Sequence, residues 1–177
     1  MNIINPGDGY SGIINHTDAW VAPFQTQTSY SIPASSSSVL GIQITSLDMT
    51  ITPLKAGNIV ECDFTLFFET TLVINAGFVV TRNGVILNNA SDGTIATRNP
   101  ESVTFPQIYD TNAGSTPQKR TMRFTDHSSL GVASTYAIWC VSTDGTTGKI
   151  WQNRSTLLSG DGWEVGCSEA KITEYVI

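Results

Sequence analysis

Residues 123–131, RFTDHSSLG, place an aspartate, a histidine and two serines side by side. These are the residue types of a hydrolase triad, in which serine attacks, histidine moves the proton and the acid orients the histidine. Adjacent strand residues point to opposite faces, so Asp126, His127 and Ser128 cannot line up with one another. The other histidine, His16, is distant, and no G-x-S-x-G motif is present. We expect no catalytic residues here, and we expect Asp126 to cap the following turn.

The sequence offers little that would bind a metal ion or a cofactor. Its two histidines are far apart, its aspartates are scattered singly, and no D-x-[DN]-x-[DN]-G calcium loop is present. No glycine-rich loop precedes a helical segment, so a phosphate-binding motif is not expected. We predict no cofactor. Calcium held by a loop aspartate, such as Asp144 or Asp161, is left as an alternative.

Three tryptophans have a residue type that can bind sugars. Trp139, Trp151 and Trp163 could form a stacking platform for a glycan, because a tryptophan offers a broad apolar face with a polar edge. Tryptophans on strands more often belong to the core. Core packing is therefore the first interpretation, and Trp151 and Trp163 are the candidate glycan contacts of the alternative.

The chain carries no sequence signal for secretion. Its N-terminus lacks both the positive charge and the apolar stretch of a signal peptide. The three cysteines, Cys62, Cys140 and Cys167, are odd in number and show no C-x-x-C spacing, which predicts buried reduced thiols rather than disulfides or zinc ligands. We expect a protein made in the cytosol, in which three glycosylation sequons are chance matches, at Asn15, Asn89 and Asn153.

Composition argues against nucleic-acid and membrane partners. Charged residues make up 14% of the chain, against roughly 25% in a typical soluble domain, while serine and threonine number 41. The net charge is −6 and no lysine or arginine precedes Lys55, so we expect no basic patch for phosphates. The longest apolar run, at residues 136–141, is far shorter than the ~20 residues of a membrane span.

The first 38 residues differ in pattern from the remainder. They show no hydrophobic period and end in the low-complexity stretch SIPASSSS. We predict an extended N-terminal arm and serine-rich linker over residues 1–38, followed by one domain over residues 39–177. Exposed aromatic side chains would be costly in water, so the arm should lie on its own domain or on another subunit. The candidate contacts are Tyr10, Trp20, Phe24 and Tyr30.

From Gly41 onward the hydrophobic period is two, as in half-buried strands. In LDMTITP the apolar residues alternate with polar ones until Pro53. In IVECDFTLFFE, at residues 59–69, the apolar set from Val60 to Phe68 alternates with a polar face. Phe67 interrupts that polar face, which makes it a candidate contact with another subunit.

The remaining segments complete an all-β pattern. Asn83-Gly84 between β-branched flanks predicts a hairpin with a type I′ turn. Residues 88–118 are expected to form a long loop with one short strand, and further strands are predicted in four segments, KRTMRFTD, STYAIWCVS, GKIWQN and KITEYVI. No helical period extends over ten residues. The fold predicted is an antiparallel β-sandwich of the jelly-roll kind.

The order of these segments resembles a domain common in virion proteins of tailed bacteriophages. The resemblance lies in a Thr-Pro that ends the first strand, an Arg-Asn-Gly hairpin, an aspartate that closes a strand before a Thr-Tyr strand, an asparagine after the next strand and a terminal I-x-E. These positions are Thr52-Pro53, Arg82-Asn83-Gly84, Asp126, Thr135-Tyr136, Asn153, and Ile172 with Glu174. The chain departs from the family pattern where a proline often follows the aspartate, and in the length of residues 88–118.

The resemblance implies a trimeric jelly-roll sandwich without enzymatic activity, displayed on capsids or fibres. The first hypothesis is a homotrimeric capsid decoration or cement protein of the virion, with itself and the major capsid protein as partners. The second is a tail-fibre or head-fibre tip that binds a host surface glycan. The third is an enzyme acting on polysaccharide, which needs two carboxylates ~5 to 10 Å apart, and no such pair can be nominated.

Overall fold

The computed structural model describes nine stretches of the chain, which are residues 13–21, 29–33, 41–71, 76–87, 105–106, 117–127, 131–142, 147–155 and 165–175. Several residues singled out in the sequence lie outside these ranges. They are Tyr10, Phe24, Asn89, Ser128, Asp144, Asp161 and Trp163.

The described residues form twelve β-strands and one 3₁₀ turn, Thr45–Leu47. The strands are β1 Ile13–Val21, β2 Ser29–Ile32, β3 Ile42–Gln43, β4 Met49–Ile51, β5 Ile59–Thr71, β6 Ala76–Arg82, β7 Val85–Ile86, β8 Phe105–Pro106, β9 Gln118–His127, β10 Ser134–Ser142, β11 Gly148–Gln152 and β12 Ser168–Tyr175.

Two antiparallel sheets pack as a sandwich, which confirms the predicted fold class. Sheet A has the order β1-β12-β5-β11-β2, with β9 also paired to β5. Sheet B has the order β3-β10-β6-β7, with β4 on β10 and β8 on β6. At Phe68, β5 pairs with both β11 and β9, and from residue 59 to 65 it pairs with both β12 and β9. Therefore β12 and β11 lie end to end along one edge of β5, and β9 lies along the other.

The core lies between the sheets and follows from the period of two. On β5 every second residue from Val60 to Phe68 is at most 1% exposed. On β9, Met122 and Phe124 point the same way, and Tyr136 on β10 faces them from sheet B with no exposed surface. Burial of such side chains contributes about 1.5–3 kcal/mol each, so the alternation is the main reason that the two sheets stay together.

The predicted hairpin is present. Strands β6 and β7 pair antiparallel, and Asn83 and Gly84 between them have φ values of 52° and 80°. Two positive φ values match the right-handed twist of the flanking strands, and asparagine and glycine adopt them at least cost. The Asn-Gly pair therefore determines where the chain reverses.

Two segments within residues 1–38, the predicted arm and linker, are described as strands. Strand β1 pairs with β12 over its whole length, and β2 pairs with β11. Both segments thus lie in sheet A, and the domain boundary at residue 38 stays a prediction. Tyr30 packs against the core, and Trp20 lies in β1 at the register position opposite Glu169. Strand β1 mixes polar and apolar residues at alternate positions, and β2 has only four residues, so neither gave a period from which to predict it.

No helix long and apolar enough to cross a bilayer occurs in the part of the chain that the structure describes.

Candidate functional site

A polar cluster joins the two sheets at the end of β9. Arg82 of β6 donates from Nη1 to Asp126 Oδ2 at 2.7 Å, and the Tyr136 hydroxyl donates to the same oxygen at 2.9 Å. Arg82 and Tyr136 are directly opposite each other in sheet B, while Asp126 belongs to sheet A. Burial raises the pKa of Tyr136, and the Asp126 charge raises this pKa further, so the hydroxyl keeps its proton and donates.

The contacts of this cluster show whether Asp126 could orient His127 as the acid of a hydrolase triad does. The Asp126 carboxylate points between the sheets. The turn that it was expected to cap begins at residue 128 and lies outside the described residues, so the cap stays a prediction. His127 is exposed on the opposite face of β9, and its carbonyl accepts from Arg82 at 3.2 Å. Because the carboxylate is engaged by a guanidinium and a phenol, it does not orient the imidazole. The side chains of Asp126 and His127 therefore lie on opposite faces of β9, as the alternation of a strand requires.

A second cluster holds the loop by which the chain crosses from sheet B to sheet A. Glu174 of β12 has no exposed surface, and its carboxylate accepts from the Leu54 amide at 2.9 Å, the Lys55 amide at 3.3 Å and Asn58 Nδ2 at 2.7 Å. The carbonyl of Pro53 accepts from the Gly131 amide at 3.1 Å. Buried carboxylates need this degree of hydrogen bonding to be tolerated.

A third cluster fills the junction at which β5 changes partner. The Asn153 amide donates to the Phe67 carbonyl at 2.8 Å, and the Phe67 amide donates to Ser168 Oγ at 3.0 Å. Ser168 in turn donates to Asn153 Oδ1 at 2.6 Å. Asn153 thus completes the backbone bonds of β5 where β11 has ended and β12 has not begun. It is fully buried with φ 62°, which asparagine tolerates better than most residues.

We expect Asn153→Ala to lower the free energy of unfolding by about 2–3 kcal/mol, because it removes an acceptor from a buried hydroxyl and strains a left-handed backbone. Asn153→Gly removes the same acceptor without strain and should cost about 1 kcal/mol less. Urea unfolding followed by circular dichroism measures both. Equal losses for the two variants would contradict the role given to the positive φ.

The burial of Asn153 also bears on whether its sequon can be glycosylated. Both Asn153 and Ser155 are completely buried, and an oligosaccharide transferase needs the asparagine at the surface. In the folded protein this position cannot carry a glycan, in agreement with its interpretation as a chance match.

The hairpin turn is tied to β10 by its asparagine. The Asn83 amide donates to the Thr135 carbonyl, and Asn83 Oδ1 accepts from the Thr135 amide, both at 2.8 Å. With the three clusters above, this shows what the residues of the family resemblance do in this chain. Ile172 lies in the core. The other positions of the resemblance either make contacts at strand ends and turns or lie next to a residue that does.

Two of the candidate subunit contacts have partners within their own chain. The ring of Phe67 is half-buried and lies so close to Gly166 that a Cβ atom there would overlap it. The hydroxyl of Tyr30 donates to Gln152 Oε1 at 3.3 Å and to Ser46 Oγ at 3.4 Å. Trp20 is described only through its backbone position in β1. The part these residues play between subunits stays a prediction.

Trp139 lies on the face of sheet B that points away from sheet A. Its indole donates to Thr81 Oγ1 at 3.1 Å, and the neighbouring Val79, Thr81 and Ala137 side chains are at most 3% exposed. A half-buried tryptophan with its N–H already paired is poorly placed to hold a sugar, so Trp139 is a packing residue.

Trp151 lies on the outer face of sheet A at the β2–β11 edge. It is half-buried, and the Arg154 guanidinium carbon lies 4.5 Å from the centre of its ring. Trp151 borders an open hollow whose other walls come from the ends of β2 and β11. Of the two candidate glycan contacts, Trp151 is therefore the one whose surroundings are known, since Trp163 lies outside the described residues.

Three large apolar side chains of the described residues are exposed at one end of the sandwich, and no sequence pattern indicated them. Leu54, Val85 and Val132 are 61%, 68% and 54% exposed. They follow Pro53, the Asn83-Gly84 turn and Gly131. The Pro53–Gly131 hydrogen bond joins two of these turns, and the Asn83–Thr135 hydrogen bond ties the third to β10, the strand that comes after Gly131. We call these three residues the apolar end. A period of two marks only strand faces, so it gives no signal for residues in turns.

The cysteines are free, and two are buried as predicted. Cys62 and Cys140 have no exposed surface, whereas Cys167 is half-buried. Burial raises the pKa of Cys140 to about 12 and raises that of Cys62 as well, where nearby carboxylates including Asp126 add to the effect. Both thiols are therefore protonated at neutral pH.

A native sample treated with iodoacetamide at pH 8 should be alkylated first at Cys167, because a thiol reacts only as its thiolate and only where reagent can reach it. Cys62 and Cys140 should react in urea alone. Peptide mass spectrometry measures each site separately, and rapid native labelling of Cys140 would contradict the packing of β10.

No group of three or more histidine, cysteine, aspartate or glutamate side chains in the described stretches is placed to hold a metal ion. The loop aspartates considered for calcium lie outside those stretches, so that alternative stays untested.

No protein-family model matches the chain, and no curated protein matches it.

Proposed function

We propose that the protein is a non-enzymatic structural protein of a phage particle, most specifically a homotrimeric capsid decoration or cement protein. Its partners would be two further copies of itself and the major capsid protein. The observation that carries the proposal is the network of sheet-joining contacts made by the residues of the phage-domain resemblance. Because Asp126, Asn153 and Glu174 each have several partners far apart in sequence, their agreement with the family pattern is support for a shared fold.

The apolar end supports a role in assembly. Single exposed apolar residues are common, but three at one end of the sandwich present apolar surface that gains from being covered. Low charge adds to this, since identical subunits can then pack with little like-charge repulsion. The end of the sandwich that carries Leu54, Val85 and Val132 is the surface we assign to contact with another subunit or with the shell.

The purified chain should be a trimer at micromolar concentration, with three times the mass of the 19.1 kDa chain. Multi-angle light scattering behind a sizing column measures this directly. We expect Leu54→Ser combined with Val132→Ser to weaken the trimer, or its attachment to capsids, by about tenfold or more.

The matched control is Thr50→Ser with Thr121→Ser, which changes two exposed strand positions and should alter neither property. A folded monomer of the unaltered chain at micromolar concentration would count against the homotrimer. Full trimer and capsid affinity in the Leu54→Ser, Val132→Ser variant would remove the apolar end from the interface.

A second candidate function is a fibre tip that binds host glycan. It is favoured by one observation, the half-exposed Trp151 beside an open hollow. If Trp151→Ala leaves adsorption of phage to host cells unchanged and the chain binds no glycan on an array, this candidate falls. An enzyme acting on polysaccharide has no comparable support.

A further inference from the structure

Arg154 is held in a fixed position beside Trp151. Its guanidinium stacks over the indole at 4.5 Å, and its Nε donates to the Ser155 carbonyl at 3.0 Å. Stacking on an aromatic ring orients a guanidinium without using its N–H groups. Among the described residues no carboxylate pairs with this guanidinium. Within the described stretches no acceptor binds its terminal nitrogens either, which leaves four N–H donors in a planar fork, the geometry that binds a carboxylate with two parallel hydrogen bonds.

The hollow beside Trp151 suits a hydroxylated ligand. It is open to solvent, has a volume of about 660 Å³ and is lined by Ser31, Ile32, Pro33, Thr147, Gly148, Lys149 and Trp151. Sites for small ligands occupy roughly 300–1,000 Å³. Ser31, Thr147 and Lys149 are exposed, and Pro33 and Trp151 are partly exposed. The accessible wall therefore combines apolar surface with hydroxyls, backbone and an ammonium group. A sugar presents both kinds of surface, since its ring has apolar C–H faces and a hydroxylated edge.

The indole of Trp151 adds an independent observation. Its Nε1 is buried and makes no hydrogen bond within the part of the chain that the structure describes. A buried donor without an acceptor costs about 1–3 kcal/mol, and such groups in folded proteins usually have a partner. A small rotation of the ring toward the hollow, or an acceptor supplied by a ligand, would satisfy it.

We propose that Arg154, Trp151 and Lys149 form a binding site for a saccharide that carries a carboxylate. The guanidinium receives the carboxylate, the ammonium group adds a second positive charge, and the hydroxyls of the hollow receive those of the sugar. The inference rests on the glycan-binding function proposed second above and specifies its ligand. It is independent of where the protein lies on the particle.

The test is calorimetric titration of the purified chain with matched pairs of probes. Galacturonic acid tetramer and sialyllactose are compared with their methyl esters, which keep every hydroxyl and lose the charge. We expect at least one acid to bind about tenfold more tightly than its ester, and Arg154→Gln to remove that difference. Arg154→Lys keeps the positive charge but loses the planar fork of donors, so its affinity for the acid should lie between those of the unaltered chain and Arg154→Gln.

Trp139→Phe is the matched control, because it alters a half-buried tryptophan on the other sheet and should leave binding unchanged. Thermal unfolding of each variant checks that it is folded. No binding of either acid at millimolar concentration, equal binding of acid and ester, or unaltered binding by Arg154→Gln would each overturn the proposal. Since the titration uses the free chain, its failure leaves the decoration role standing, and the reverse also holds.

Discussion

Replacing Asp126 with alanine should lower the free energy of unfolding by about 3 kcal/mol, because hydrogen bonds to charged groups contribute about 1.5–3 kcal/mol each and two are lost. The variant leaves the buried Tyr136 hydroxyl without its acceptor and the Arg82 guanidinium without its counterion. Arg82 is about one-third exposed, with 32% of its side chain accessible, so water replaces part of what it loses and the upper end of the range is not expected.

Three further variants separate the terms. Tyr136→Phe removes one hydrogen bond and should lower the free energy of unfolding by about 1 kcal/mol. Because Tyr136 and Asp126 share that bond, the double variant should lose less stability than the two single variants lose together. His127→Ala changes the exposed neighbour and should cost about 0.5 kcal/mol or less. Urea unfolding measures all of them. If His127→Ala destabilised the protein as much as Asp126→Ala, the assignment of Asp126 to the sheet junction would be wrong.

Replacing Glu174 with glutamine should cost about 3 kcal/mol, since it turns an acceptor oxygen into a donor that faces other donors in a buried place. Both carboxylate oxygens accept from the Leu54 amide, at 2.9 and 3.1 Å, and one also accepts from Asn58 at 2.7 Å. A neutral amide cannot satisfy this set. The loop between β4 and β5 should loosen before the rest of the sandwich unfolds.

The control for Glu174→Gln lies on the same strand. Glu169 is exposed on the outer face of sheet A, and Glu169→Gln should change stability by about 0.5 kcal/mol or less. Hydrogen exchange of residues 54–58 reports the local effect, with faster exchange expected only for Glu174→Gln. Unaltered exchange in that loop would show that the carboxylate does not hold it.

Patterns of short range predicted most of the sandwich. The alternation on β5 identified the buried face from Val60 to Phe68, and Asn83-Gly84 identified the hairpin, because a face and a turn each depend on a few neighbouring residues. The pairing of β1 with β12 could not be predicted in this way. It joins the two ends of the chain, and the sequence of β1 mixes polar and apolar residues on both faces.

The candidate sites were predicted less well than the fold. Asp126 and Arg82 lie 44 positions apart, and nothing local to either residue indicates the other. Arg154 was missed because a spacing of three suggests contact on a helix, whereas here a turn after β11 brings it over Trp151. The exposed residues Leu54, Val85 and Val132 lie in or beside turns, where hydrophobic period carries no information.

The most direct test of the proposed function is immunogold labelling of phage particles from the source lysate, viewed by electron microscopy. A decoration protein predicts label distributed over the heads. Label confined to the tail or its tip would favour the fibre function, in which the Trp151 site meets the host. Particles without label, in a lysate that contains the protein, would contradict the proposal that it is part of the virion.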